Sequence, residues 1–293
     1  SQRDIAFVFQ MFALYPHMTV RGNISYPLKS QGMARAQVRE KVAEVAEILG
    51  ITDILDRPVG GLSGGDRQRV ALGRAIVRKP KAFFMDEPLG ALDAEFREYM
   101  AEELRALHDR MEATTVYVTH DQLEAMQMGD KIAVMNHGVV EQFGAPQDIY
   151  DWPATKFVAQ FIGSPPMNFL EFNGMIGAGD DEVRLNDIEL KIPRSIDGAN
   201  GQLTLGVRPE HVKLDDAAPY RGRIVANEYL GTTRIVTLDT PNGVLKARIP
   251  SSETVSVGQT TGLSFDARTI TLFENTHGQA LRSHANAGVL AHG

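Results

Sequence analysis

Two adjacent carboxylates close the apolar run Phe83-Phe84-Met85-Asp86-Glu87. A second apolar run, Val116-Tyr117-Val118-Thr119, ends on His120. Upstream, Leu62-Ser63-Gly64-Gly65-Asp66-Arg67-Gln68-Arg69 places a serine and two glycines before a charged helix start, and the helical run continues through Val77. A glycine-rich helix start offers free backbone N–H groups and the positive end of a dipole to an anion. Glycines there let a phosphate approach the backbone closely. Phosphoryl transfer needs positioning and charge neutralisation, so one carboxylate for a metal and one for the attacking water is the expected minimum. Each group alone is ordinary: a capped helix, a strand ending in Asp-Glu, a structural histidine after a strand. Thr119-His120-Asp121-Gln122 also reads as a capping box, with Thr119 as cap and Gln122 returning the bond.

The elements that must position these groups follow from the apolar periodicity. Ile5-Ala6-Phe7-Val8-Phe9 is a short buried-strand run that stops at Gln10. From Ala36 to Leu49 the residues Val38, Val42, Val45 and Leu49 recur at helical spacing, and Gly50 is a natural stop. Lys81 to Met85 reads as a core strand. Ala94 to about Met111 reads as a helix with Phe96, Met100, Leu104 and Leu107 in one stripe, and Asp93 as its N-cap. Thr115 to Thr119 is the next strand. Lys131 to Phe143 reads as a hairpin turning at Asn136-His137-Gly138, followed by short helices at Pro146–Tyr150 and Thr155–Ile162. Strands alternating with helices predict an α/β fold, a mainly parallel sheet with helices on its faces. Gly163-Ser164-Pro165-Pro166 signals a linker.

Beyond Pro166 the helical stripes vanish. Short β-type runs appear at Glu182–Leu185, Gln202–Val207, Arg223–Val225, Arg234–Leu238, Val244–Ile249 and Arg268–Phe273, separated by Gly, Asn, Asp and Pro. That texture predicts an all-β domain, a small barrel. Arg208, Glu210 and His211 read as a solvated sheet face. The stretch from about His277 has no pattern and is expected to be disordered. There is no internal repeat.

In their order and spacing the three chemical groups closely resemble the signature, Walker B and switch-histidine segments of ABC transporter ATPases. Gln10, followed by Ala13-Leu14-Tyr15-Pro16-His17-Met18-Thr19-Val20, resembles the Q-loop and following segment of sugar-importer ATPases. Pro88 and Leu89-Gly90-Ala91-Leu92-Asp93 resemble the D-loop. Ser164–Leu170 and Gly206–Val212 resemble parts of the C-terminal TOBE (oligonucleotide-binding-like) domain of maltose- and glycerol-3-phosphate-type importers.

The resemblance implies a nucleotide domain over 1–163, with a helical subdomain at about 11–75 that docks on membrane subunits, a β-barrel regulatory domain over 164–276, and a tail over 277–293. It implies ATP and Mg²⁺ as cofactors. Asp86 would hold Mg²⁺ through water, Glu87 would be the general base, Gln10 would touch the metal and the nucleophilic water, and His120 would hydrogen-bond the γ-phosphate. Ser63, Gly64 and Gly65 would close over an ATP held by the other subunit of a head-to-tail dimer. Asp66 stands there in place of the usual glutamine, and Asp93 would help join the two sites. Implied partners are a second ATPase subunit, transmembrane permease subunits and, indirectly, a solute-binding protein. The implied location is cytoplasmic, peripheral on the inner face of the membrane.

The 293 residues, 43% of them hydrophobic, suffice for one large or two ordinary domains. The net charge of −7 argues against nucleic acid as a partner. No apolar run is long enough to span a bilayer. The absence of cysteine excludes disulfides and thiol chemistry. No G-x-x-x-x-G-K-S/T phosphate loop occurs in the sequence. The resemblance places that loop before Gln10, upstream of Ser1, and with it an aromatic for adenine. Without its lysine and backbone cradle, a triphosphate would face Asp86, Glu87 and Asp66 with little positive charge. The 293-residue chain alone is therefore expected to bind Mg-ATP poorly and hydrolyse it negligibly. The alternative function is a non-catalytic regulatory or assembly subunit that has lost its phosphate loop. Intact Asp86, Glu87 and His120 argue against it. A DNA-repair ABC ATPase would want long heptads or a basic face, and neither is present.

Overall fold

Three apolar runs pair in parallel, in the order β1-β2-β3: β1 (Ile5–Val8), β2 (Ala82–Asp86) and β3 (Thr114–Val118). The computed structural model describes residues 4–9, 12–110 and 113–290, and the chain divides into two units, Ser1–Gly129 and Asp130–Gly293. In the first unit the register sets Ala6 beside Phe83, Val8 beside Met85 and Asp86 beside Val118. Strand alternation sends neighbours to opposite faces. Ala6, Val8, Phe83 and Met85 are accordingly buried, whereas Ile5, Phe7, Val116 and Val118 are exposed. The sequence pattern predicts helices on both faces; among the described residues one face is covered.

The helices are α1 (Val20–Ser30), α2 (Arg35–Ile48), α3 (Gly64–Ile76), α4 (Ala94–Arg110) and α5 (Gln122–Met128). α2 follows its stripe, with Val38, Val42 and Val45 buried and Gly50 at φ +60° ending it. α1 is not legible in the sequence, because Pro27 lies inside it and proline opposes a helix interior. Tertiary contacts override that preference. Val20, Ile24 and Leu28 are buried, and the Thr19 hydroxyl accepts from the Gly22 amide at 3.1 Å. The buried Asn23 side chain accepts from the Tyr15 amide at 2.8 Å and donates to its carbonyl at 3.2 Å. α3 comes so close to α1 and α2 that a Cβ on Gly73 would meet Leu49 Cδ1 at 2.9 Å and Ile24 Cδ1 at 3.3 Å. In α4, Met100 and Leu104 are buried and Phe96 partly so. The side chain of Leu107, and Met111 altogether, lie outside the described residues.

The second unit opens with the expected hairpin, β4 (Ile132–Asn136) and β5 (Val139–Gly144), turning through His137 and Gly138 at φ +48° and +83°. α6 (Pro146–Asp151) and α7 (Lys156–Phe161) follow. The remaining strands are β6 (Asn168–Ile176), β7 (Glu182–Leu185), β8 (Ile188–Lys191), β9 (Ala199–Val207), β10 (Val212–Leu214), β11 (Tyr220–Tyr229), β12 (Thr233–Thr240), β13 (Gly243–Pro250), β14 (Thr260–Phe265) and β15 (Thr271–Glu274). They form a five-stranded antiparallel sheet, β10-β14-β11-β12-β13, and a three-stranded one, β15-β9-β6, around one apolar core that includes Leu170, Leu205, Ile224, Val236 and Leu263. Asn168 links the two sheets as a strand residue would. Its amide donates to the Lys246 carbonyl at 2.9 Å and its oxygen accepts from the Lys246 N–H at 2.7 Å. The result is the nearly closed, barrel-like all-β domain that the sequence texture predicts.

Two expectations are corrected here. Arg208 is not on a solvated face but 1% exposed. Its guanidinium donates to the Tyr150 carbonyl at 2.6 Å, the Ala159 carbonyl at 3.3 Å and the Ile162 carbonyl, and lies over the Tyr150 ring at 4.1 Å. One buried cation thus satisfies helix-end carbonyls of α6 and α7 and binds both helices to the β domain. Burial lowers its pKa, yet guanidinium keeps its charge. Tyr150 donates to Glu210 Oε1 at 2.6 Å, and burial together with that bond pushes the phenol up to about 12. Finally, residues 277–290 are ordered into the fold. The Lys156 amide donates to the Gly278 carbonyl at 2.8 Å, Leu281 to the Leu272 carbonyl at 2.7 Å, Arg282 pairs with Asp197 at 2.8 Å, and Asn286 is buried. Pairing to distant strands leaves no local periodicity, which is why the sequence looks patternless there.

Replacing Arg208 by Met leaves those carbonyls without their donor. The expected cost is about 3 kcal/mol of unfolding free energy, read as an earlier urea midpoint. Arg221→Met, on an exposed position of β11, is expected to stay within about 0.5 kcal/mol of the parent.

Candidate functional site

The end of β2 is the centre of the site. The ladder to β3 continues one residue past Asp86, with the Glu87 amide donating to the Val118 carbonyl at 2.9 Å. Glu87 then turns into the left-handed region at φ +47°, a conformation that a non-glycine residue holds only when its surroundings impose it. The turn is held from the far side by Gln68 of α3. Its amide donates to the Glu87 carbonyl at 3.1 Å and its oxygen accepts from the Ala91 N–H at 2.9 Å. Gln68 is 2% exposed. Its burial is not legible in the sequence, since a polar residue on a charged helix gives no sign that it is buried.

The turn delivers the Glu87 carboxylate to His120, which leaves β3 at the level of Glu87. His120 Nδ1 and Glu87 Oε1 are 2.9 Å apart. The ring is 78% exposed and the carboxylate 26%, so the pair sits at the open edge of the sheet. The bond from Glu87, and then its charge, raise the histidine pKa above 6.5. The side chain of Asp86, half-buried, makes no hydrogen bond or ion pair among the described residues, and no three metal-ligating side chains cluster there. A lone carboxylate of that kind fits Mg²⁺, which keeps several waters and takes the rest of its shell from phosphates. Gln10 lies outside the described residues.

Ser63 caps α3, its hydroxyl oxygen accepting from the Asp66 amide at 3.1 Å and the hydroxyl donating to Asp66 Oδ2 at 2.9 Å. The Gly64 and Gly65 amides have no intrahelical partner, and nothing stands within 4 Å of where a Gly64 Cβ would be. That is the cradle an anion requires. The carboxylate of Asp66 is paired with Arg69, whose guanidinium also lies over Phe96 at 4.5 Å. Asp93 accepts from the Phe96 amide at 3.0 Å, so it is the N-cap of α4. Ser63, Gly64 and Gly65 make no hydrogen bond to Asp86, Glu87 or His120 among the described residues. Gln68 instead carries the connection between the two groups. The N-cap of α5 is Asp121 rather than the expected Thr119. Asp121 caps α5 through the Leu123 and Glu124 amides at 2.8 and 3.3 Å, because Thr119 turns its hydroxyl to Glu124 at 2.8 Å.

Comparison with known proteins adds three family matches. The ABC transporter family matches residues 1–90, the MalK OB fold domain residues 163–212 and the TOBE domain residues 205–273. The trehalose/maltose import ATP-binding protein MalK of Thermococcus litoralis is 45% identical, over 96% of this chain and 79% of its own length. The trehalose import ATP-binding protein SugC of Mycobacterium tuberculosis is 40% identical, over 96% and 80%. The sn-glycerol-3-phosphate import ATP-binding protein UgpC of a Ruegeria species is 49% identical, over 80% and 66%.

Two outcomes test this geometry. Since the folded pKa of His120 lies above its unfolded value, the pair contributes its full stabilisation below about pH 6.5. That contribution is lost as pH rises through the raised value. NMR titration is expected to place the His120 midpoint above that of an ordinary histidine, and in Glu87→Gln to return it toward 6.5. Gln68→Leu keeps the volume but deprives the Ala91 amide of its acceptor and the Glu87 carbonyl of one donor. It is expected to cost about 2 kcal/mol in urea unfolding.

Proposed function

The chain belongs to the family of ATP-binding subunits of ABC importers, and from that premise we propose that it powers uptake of a carbohydrate or glycerol-phosphate-type solute by hydrolysing ATP. The observation that carries the catalytic part is the 2.9 Å contact between His120 and Glu87 at the ends of adjacent parallel strands. The solute class rests on relatives named for trehalose, maltose and sn-glycerol-3-phosphate import. Those relatives are import ATP-binding proteins, so the alternative of a non-catalytic assembly subunit is not favoured.

Each residue has a part in this reading. Glu87 orients the attacking water and accepts its proton. His120, held by Glu87, presents its second ring nitrogen to the γ-phosphate. Asp86 would hold Mg²⁺, and Gln10 would act on the same metal and the attacking water. The bound metal supplies charge neutralisation on the phosphates. Ser63, Gly64 and Gly65 offer a hydroxyl and amides to the nucleotide of a second ATPase subunit. Arg69 neutralises Asp66, so an acid in the signature adds little repulsion toward a polyphosphate. Asp93, while capping α4, would help join the two sites. Among the described residues no helix is long and apolar enough to cross a membrane. In this reading coupling runs through permease subunits, with the protein on the inner face of the membrane.

Glu87→Gln, introduced into the gene in its source cell, tests the reading. Uptake of labelled trehalose, maltose and sn-glycerol 3-phosphate, and ATP hydrolysis by the extracted transporter, are measured. Loss of uptake of one solute and at least about a hundredfold drop in hydrolysis are expected. Unchanged hydrolysis would remove Glu87 as the base. Uptake of all three solutes unaffected would remove the solute class.

A further inference from the structure

Glu124 of α5 is a carboxylate with 6% of its surface exposed. Its Oε2 accepts from two hydroxyls of β3 and its exit, Tyr117 at 3.0 Å and Thr119 at 2.8 Å. These residues alternate along the strand and so share a face. Arg97 of α4 approaches the other oxygen at 4.0 Å and Asp121 Oδ2 at 3.8 Å. The same guanidinium donates to the Leu92 carbonyl at 3.0 Å, beside Asp93. A buried carboxylate must be compensated by hydrogen bonds and counter-charge; here the hydrogen bonds come from Tyr117 and Thr119, on the segment that leads to His120, and the counter-charge from Arg97 of α4.

Between Thr119 and Asp121 the chain has one residue, His120, and both neighbours are tied down. Thr119 Oγ1 donates to Glu124 and accepts from the Asp121 amide at 3.0 Å, while Asp121 Oδ1 accepts from the Leu123 and Glu124 amides. The histidine ring itself is mostly in solvent. Packing therefore cannot fix it, and its direction toward Glu87 depends on this backbone clamp.

We propose that Glu124 is a positioning residue for His120. Its carboxylate locks the bridge from β3 to α5 that aims the imidazole at Glu87, and Arg97 extends the lock to the carbonyl beside Asp93. This rests on the reading of His120 as part of an ATP-hydrolysing site, and the test separates the two.

Glu124→Ala removes the clamp, Glu124→Gln keeps an acceptor for the hydroxyls, and Thr119→Val removes the bond from the other side without exposing Arg97 to an unpaired site. In the transporter, Glu124→Ala and Thr119→Val are expected to lower kcat for ATP by about tenfold or more. The KM for ATP should stay within about twofold, and Glu124→Gln should recover most of the rate. Independently of turnover, ¹⁵N-histidine spectra of the chain report whether His120 Nδ1 is hydrogen-bonded. The parent and Glu124→Gln should agree, and Thr119→Val should move toward free imidazole. An unchanged Nδ1 shift in Thr119→Val overturns the proposal, as does a change in KM alone. A parent transporter without ATP hydrolysis removes the catalytic reading, and the nitrogen shift still decides on Glu124.

Discussion

The left-handed turn at Glu87 is the constraint on which the site depends. A strand that simply ended at Asp86 would leave the next side chain to solvent. One further ladder bond to Val118 keeps Glu87 in register with β3, and the reversal at φ +47° swings its carboxylate onto His120. Such a backbone is held at a cost of about 1–3 kcal/mol, and Gln68 and Gly90 supply bonds to the Glu87 carbonyl that offset it. The glycine-rich start of α3 and the acidic end of β2 are therefore parts of one braced structure, joined through a single buried amide.

Charge is distributed so that only certain acids remain available. Asp66 is taken by Arg69 and by the Ser63 hydroxyl. Glu124 is buried between hydroxyls and Arg97. Asp86 is left without a partner among the described residues, and Glu87 has its histidine. Asp66 and Glu124, whose partners are fixed within the protein, serve structure. An acid that lacks one, at the mouth of a parallel sheet, is placed for a cation.

In the second unit Arg208 plays a comparable part. It sits at the start of the turn after β9, and its hydrogen bonds run to carbonyls of the α6 and α7 segments some fifty residues earlier in the chain. Its planar fork suits several carbonyls at once. Together with the bonds that Gly278 accepts and Leu281 donates, it ties the helical residues 146–162 and residues 277–290 to the β domain.

The sequence by itself determined the kind of elements and the chemical residues at their ends. Periodicity is local, so α2, α3, β2, the β4-β5 hairpin and the β texture beyond Pro166 were legible, and so were Ser63, Asp86, Glu87 and His120 at element boundaries. Only the tertiary structure decided what those residues touch. It placed α1 across Pro27, buried Arg208, Gln68 and Glu124, and chose Asp121 over Thr119 as a cap. For the buried residues the reason is the same. A polar side chain is read from sequence as facing water, since burial must be compensated by partners. Those partners are supplied by distant segments, whose proximity no local pattern contains.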